Sequence, residues 1–203
     1  MKASRPERVY LDRAEQIEAL LAAAGEIDRC AKSNGRIARR AMLSTLVFGG
    51  LRISECLELR WRDVDLAGGL LKVRQSKTDA GIRYVDLLPV LRDELSTLKA
   101  RAGTPHPLSP VFPSAAGTRQ DRNRVRNRVL APAIVRADEQ LLADGLAPLP
   151  EALTLHALRR TFCSILVAIG KDPAYAMSQM GHTDPTITIG IYSKPISPFA
   201  ERA

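Results

Sequence analysis

Apolar positions open the chain at helical spacing: Ile17, Leu20, Leu21 and Ala24 lie three or four residues apart, with Asp12 ahead as an N-cap and Gly25 behind as a stop. This predicts an amphipathic helix with one buried stripe. A second helical run covers residues 37–48, basic at its start (Arg36, Arg39, Arg40), apolar later, and closed by Gly49-Gly50. Residues 51–59 read as a third, shorter helix, with Arg52 in its first turn and Glu55 three residues on, close enough to orient the guanidinium.

The period then changes from helical to twofold. Residues 61–66 alternate apolar and polar as a half-buried strand does, Gly68-Gly69 is a turn, and residues 70–74 and 82–87 are two further strands. A polar connection, 76–81, joins the last two and carries Lys77 at its tip. A helix over residues 89–100 and a proline-rich loop, 104–113, follow. After residues 131–150, a helix and then a Gly/Pro loop, Thr154 caps a helix. Its Leu155, Leu158, Phe162, Ile165, Leu166 and Ile169 form an apolar stripe ending at Gly170. The pattern predicts an α+β domain, mostly α, with a small three-stranded antiparallel sheet inserted after the third helix.

At 203 residues, with 45% hydrophobic and 26% charged positions, the chain can bury a core and is not compositionally disordered. A net charge of +8 points to a polyanionic partner such as nucleic acid. Cys30, Cys56 and Cys163 are odd in number and far apart, which argues against a disulfide framework or a zinc knuckle and for reduced core residues in a cytoplasmic protein. No apolar run approaches the ~20 residues of a membrane span, so no membrane is expected as partner. No internal repeat stands out. The three histidines have no clustered carboxylates beside them, which argues against a metal nuclease and for chemistry without a cofactor.

Three places concentrate candidate chemistry. Arg119, Arg122, Arg124, Arg126 and Arg128 are mostly two residues apart, so on a helix they spread around the surface, as a DNA-backbone contact or a solvated face. His156 and Arg159, at i and i+3 beside the apolar stripe, could face a common ligand, whereas Arg160 is turned away by about 100°. Near the C-terminus, Gly181-His182-Thr183-Asp184-Pro185 makes a turn ahead of Tyr192. A phenol with a pKa of about 10 needs cations and a proton acceptor nearby to act as a nucleophile.

GGLRISE (49–55) followed by LELRWRDVD, a hairpin lysine, HALRRTF and finally MGHTDPTITIGIYSK resembles, in order, the motif series of the tyrosine recombinase family, the phage-integrase-like site-specific recombinases. By position the resemblance implies Arg52 and Arg159 as the two phosphate-binding arginines, Lys77 as proton donor to the leaving oxygen, His156 and His182 as the two histidines, and Tyr192 as nucleophile. It implies a metal- and ATP-independent enzyme that cleaves and rejoins double-stranded DNA through a 3′-phosphotyrosyl ester. Such an enzyme works as a homo-oligomer, a tetrameric synapse on DNA, and is expected to be monomeric without it. A type IB topoisomerase-like nicking and resealing enzyme and a non-catalytic DNA-binding module of the same fold are the alternatives. The expected layout is an arm or linker over residues 1–8, a catalytic domain over 9–195 and a short tail over 196–203. Family members usually carry a further N-terminal helical domain, so the chain is similar to a catalytic fragment or a minimal member.

Overall fold

A computed structural model describes residues 9–31, 37–74 and 82–181. The first helix, α1 (Ala14–Cys30), starts two residues after Asp12, with Arg13 at the N-cap position, and runs through Gly25. Gly25 lies inside the helix with the Arg40 side chain across it: a Cβ there would sit 3.1 Å from Arg40 Cδ. The extension carries Asp28 to the start of α2 (Arg39–Gly49), where its carboxylate accepts from the Arg40 N–H (3.1 Å) and the Arg39 guanidinium (3.0 Å). It also leaves Cys30 exposed at the helix end, so of the three cysteines only Cys56 and Cys163 are core residues.

α2 stops at the double glycine, as expected, and Gly50 adopts a left-handed backbone with φ 58°. A side chain there is excluded twice over, because a Cβ would also come within 2.1 Å of Phe162 Cδ1. The next helix, α3 (Ile53–Glu58), is shorter than its sequence span, and Arg52 occupies its N-cap rather than its first turn. Residues 61–66 do not form one strand. Trp61–Asp63 is a 3-10 turn and only Val64–Asp65 (β1) is extended. The reason is local pairing: the Trp61 and Arg62 N–H groups donate to Ser109 and Pro107 carbonyls in the proline-rich loop, and Asp63 N–H closes back on Arg60. Those donors are therefore withdrawn from the sheet.

β1, β2 (Leu70–Arg74) and β3 (Ile82–Asp86) form an antiparallel sheet in that order, with Leu71 opposite Val85 and Val73 opposite Arg83. After α4 (Pro89–Arg101) the chain crosses the loop and enters α5 (Arg122–Val125), a π-helical turn (Arg126–Leu130) and α6 (Ala131–Ala143). α7 (Leu155–Ala168) and α8 (Pro173–Met180) complete the described chain. α1 packs on α6 and α2 on α7, with α4 against α2, so α2 is central and its Met42, Leu43, Leu46 and Val47 are fully buried. In α7 the stripe residues Leu155, Leu158, Phe162 and Leu166 are buried and Ile165 is partly buried, but Ile169 lies past the helix end and is 53% exposed. No described helix is long and apolar enough to cross a membrane.

Gly50 tests this packing. Gly50→Ala is expected to lose about 1–2 kcal/mol through its left-handed backbone and about 1–3 kcal/mol more through the clash with Phe162. Gly103→Ala, at φ 75° with nothing within 4 Å of the added Cβ, is expected to lose the backbone part alone. Urea denaturation of both variants checks this, and equal losses would show that Phe162 does not press on Gly50.

Candidate active site

Three arginines from three elements meet around one carboxylate. Glu55, in the first turn of α3, accepts the Arg52 backbone N–H at Oε2 (2.7 Å) and Arg52 Nη1 at Oε1 (2.8 Å). Arg83, from β3, adds a bidentate pair, Nη1 to Oε1 (2.9 Å) and Nη2 to Oε2 (2.8 Å). Arg159 Nη1, from α7, stands 3.7 Å from Oε2. The same three guanidiniums each donate to a carbonyl at the end of α8: Arg83 Nε to Gln179 (3.0 Å), Arg159 Nη2 to Met180, and Arg52 Nη2 to Gly181 (3.3 Å). These carbonyls are the unpaired, negative end of the helix, and α8 ends there because Gly181 turns left-handed at φ 59°.

Arg159 is wholly buried within the apolar stripe of α7 rather than beside it. Its burial is tolerated because Nη1 also donates to the Gly50 carbonyl (2.5 Å), in addition to Glu55 and Met180. Its Nε has no partner among the described residues. Burial and the Arg52 charge push its guanidinium down to about 9, so it remains charged at neutral pH. The Arg52 side chain is 41% exposed and can present N–H donors outward. His156 is exposed one turn before Arg159, so the two do not share a face in the simple way their spacing implies. They share a field instead: partial burial, then the charges of Arg160, Arg159, Arg52 and Arg122, lower the His156 pKa below its ordinary value. The shift keeps the imidazole neutral at pH 7, and the same cations oppose its protonation. Lys77, His182 and Tyr192 lie outside the described residues. Tyr175, on α8, donates its hydroxyl to Asp86 Oδ2 at 2.6 Å, and burial and that bond raise its pKa above the phenolic range.

A second basic surface lies on α5 and the π-helical turn. Residues 122–129 read RNRV twice, a short tandem repeat that the expectation of a repeat-free chain overlooks. Val125 and Val129 are fully buried and set the inward face. Asn123 and Asn127, two residues from each valine and so turned by about 200°, form the outward crest. Arg122 and Arg126 flank the crest on one side, Arg124 and Arg128 on the other, and all are exposed. Asp121 starts the helix by accepting the Asn123 and Arg124 N–H groups. Arg119 stands apart, paired with Glu58 at 3.2 Å. The crest asparagines and Arg83 were missed from sequence. The RNRV repeat marks the first, and the strand alternation that puts Arg83 in register with buried Val85 marks the second. Among the described residues no three His, Cys, Asp or Glu side chains are grouped to hold a metal.

Residues 12–196 match the model of the phage integrase family. The tyrosine recombinase XerC of Rhizobium meliloti (strain 1021) is 30% identical over 152 residues, covering 74% of this chain and 44% of that protein. The chain thus spans less than half the length of the curated relatives it matches. The crystal structure of XerA recombinase superposes with a TM-score of 0.70 at 25% identity, over 95% of this chain and 62% of XerA. The Tn1549 transposon integrase, solved with circular intermediate DNA, gives 0.68 at 20% identity, over 95% of this chain and 64% of that one.

The arginine cluster predicts a pH dependence of stability. Burial alone would raise the Glu55 carboxyl, but the Arg83 pair and the Arg52 bonds overcome it and hold it at about 2, against 4.5 for a free side chain. A depressed folded pKa means that the stabilisation, about 3 kcal/mol, is fully present above the unfolded value and is lost as pH falls toward the folded one. Urea denaturation at a series of pH values between 7 and 2.5 should show this loss beginning below about pH 4.5. In Glu55→Gln that component should vanish, and stability at neutral pH should fall by about 3–5 kcal/mol because the cations lose their counter-charge.

Proposed function

Because this chain belongs to the phage integrase family, we propose that residues 9–195 form the catalytic domain of a site-specific DNA recombinase that acts on double-stranded DNA in the cytoplasm. The observation that supports this most is the clustering of Arg52 and Arg159 on Glu55 at the end of α8, immediately before His182 in the sequence. Two guanidiniums that are charged at neutral pH suit the non-bridging oxygens of a phosphodiester, where negative charge grows during attack.

In this reading Tyr192 Oη forms a bond to phosphorus as the bond from phosphorus to the 5′-oxygen breaks. His156 accepts the phenolic proton, and its lowered pKa keeps the imidazole in the neutral, proton-free form at pH 7. Lys77, in the segment between β2 and β3, protonates the departing 5′-oxygen. His182 hydrogen-bonds the phosphate beside Arg52 and Arg159. The 3′-phosphotyrosyl ester conserves the phosphodiester energy, so a second 5′-hydroxyl reseals it without ATP, and side chains supply the positive charge that a metal supplies elsewhere. Exchange between two duplexes requires several copies, and a homotetrameric synapse assembled on DNA from monomers is the arrangement proposed. Arg122, Arg124 and Arg126, with Arg119, hold the DNA backbone, and the α5 crest faces the duplex.

Tyr192→Phe is expected to bind DNA and form no covalent adduct on a nicked duplex in chelator, because it removes one oxygen and leaves the ring. Arg52→Lys should keep most affinity yet form adducts about 100-fold more slowly, since lysine lacks the fork. A persisting adduct in the first variant would move the nucleophile, and a wild-type rate in the second would remove Arg52 from the phosphate. For the DNA surface, the double variant Arg122→Gln, Arg126→Gln should reduce the log–log salt slope of duplex binding by about 1.8, at about 0.9 per released counterion. An unchanged slope would place α5 away from the DNA.

A further inference from the structure

We propose that Arg83 is a positioning residue for the reaction: it ties β3 to Glu55 and to the last turn of α8, and so fixes where the Arg52 and Arg159 guanidiniums stand. This rests on the recombinase reading above. Arg83 itself does not face a ligand. Its side chain is 10% exposed, and all three guanidinium nitrogens are bonded within the protein, two to Glu55 and one to the Gln179 carbonyl. It is the only one of the three arginines that forms a fork with both Glu55 oxygens, and that fork sets the plane of the carboxylate to which Arg52 and Arg159 are matched.

The fit is specific to the stem as well as the head. A Cβ on Gly181 would lie 2.9 Å from Arg83 Cδ, so the residue that accepts Arg52 at its carbonyl must be side-chain-free for Arg83 to pass. A second seam holds β3 to α8 without Arg83. The Asp86 N–H donates to Gln179 Oε1 (2.7 Å), and Tyr175 donates its hydroxyl to Asp86 Oδ2 (2.6 Å). Removing the Arg83 guanidinium therefore leaves the strand docked while releasing the carboxylate. The groups facing Glu55 would then be Arg52 from its own helix and Arg159 from α7, and burial would act on the carboxyl with its strongest counter-charge gone.

The test compares wild type, Arg83→Gln and Arg83→Lys in three measurements. These are adduct formation on a nicked duplex from about pH 5 to 8, duplex affinity, and a carbon-13 carboxyl titration of Glu55 with the Arg52 Nε shift read alongside. Arg83→Gln is expected to form adducts about 100-fold more slowly at pH 7 with affinity within about twofold. Its deficit should widen as pH falls, because Glu55 now protonates in the assayed range, whereas wild-type Glu55 stays ionised. Arg83→Lys should recover part of the rate, keeping charge without the fork. Wild-type rates in both variants overturn the proposal. So does an equal, pH-independent deficit with Glu55 still ionised and the Arg52 shift unmoved, which marks a packing role. If Arg83→Gln does not fold, Arg83→Lys decides alone: slower adducts at full affinity support the proposal and a wild-type rate ends it. If wild type forms no adduct the recombinase reading falls, and the Glu55 titration and Arg52 shift still settle whether Arg83 positions them.

Discussion

Three guanidiniums packed against one another repel, and the site exists because one buried carboxylate and one helix end receive them together. Glu55 supplies the full negative charge, and the Gln179, Met180 and Gly181 carbonyls supply the partial charge of the α8 terminus. Neither would suffice alone. A single carboxylate has two oxygens to share among Arg52, Arg83 and Arg159, and the helix end offers one carbonyl to each. What results is a set of cations whose directions are fixed by partners within the protein.

The fold can be understood as the means of bringing those partners together. α3 supplies Arg52 and Glu55, the sheet supplies Arg83, and α7 supplies Arg159. Gly50 lets α2 and α7 approach closely enough for Phe162 to press on the backbone, and its carbonyl accepts Arg159 Nη1. The basic α5 surface lies on a separate element and is held by two buried valines, Val125 and Val129. His156 feels charges of both groups, Arg159 and Arg52 from the cluster and Arg122 from α5.

Much of this was legible in the sequence wherever the signal is local. The Gly49-Gly50 stop, the Thr154 cap and the β2 and β3 strands follow from backbone chemistry within a few residues, and they stand where the pattern put them. Gly25 was misjudged because a helical glycine and a helix stop look alike until Arg40 is seen lying over it. Trp61–Leu66 alternates like a strand, yet its donors go to a loop more than forty residues away, which no local pattern encodes. The motif series identified Arg52 and Arg159 as a pair but not the burial of Arg159, because an arginine can enter a core only with partners as distant as Gly50 and Met180. Arg83 passed unnoticed for the same reason. The positions of Lys77, His182 and Tyr192 rest on the motifs, since they lie outside the described residues.

The central claim is that Glu55 joins α3, β3, α7 and the end of α8 into one unit. Hydrogen exchange followed by mass spectrometry, on wild type and Glu55→Gln at neutral pH, tests it most directly. The account predicts that protection falls in residues 52–58, 82–86 and 176–181 and is retained where α1 packs on α6, remote from the carboxylate. Unchanged protection in the three segments around Glu55, or a uniform loss across the chain, would contradict it.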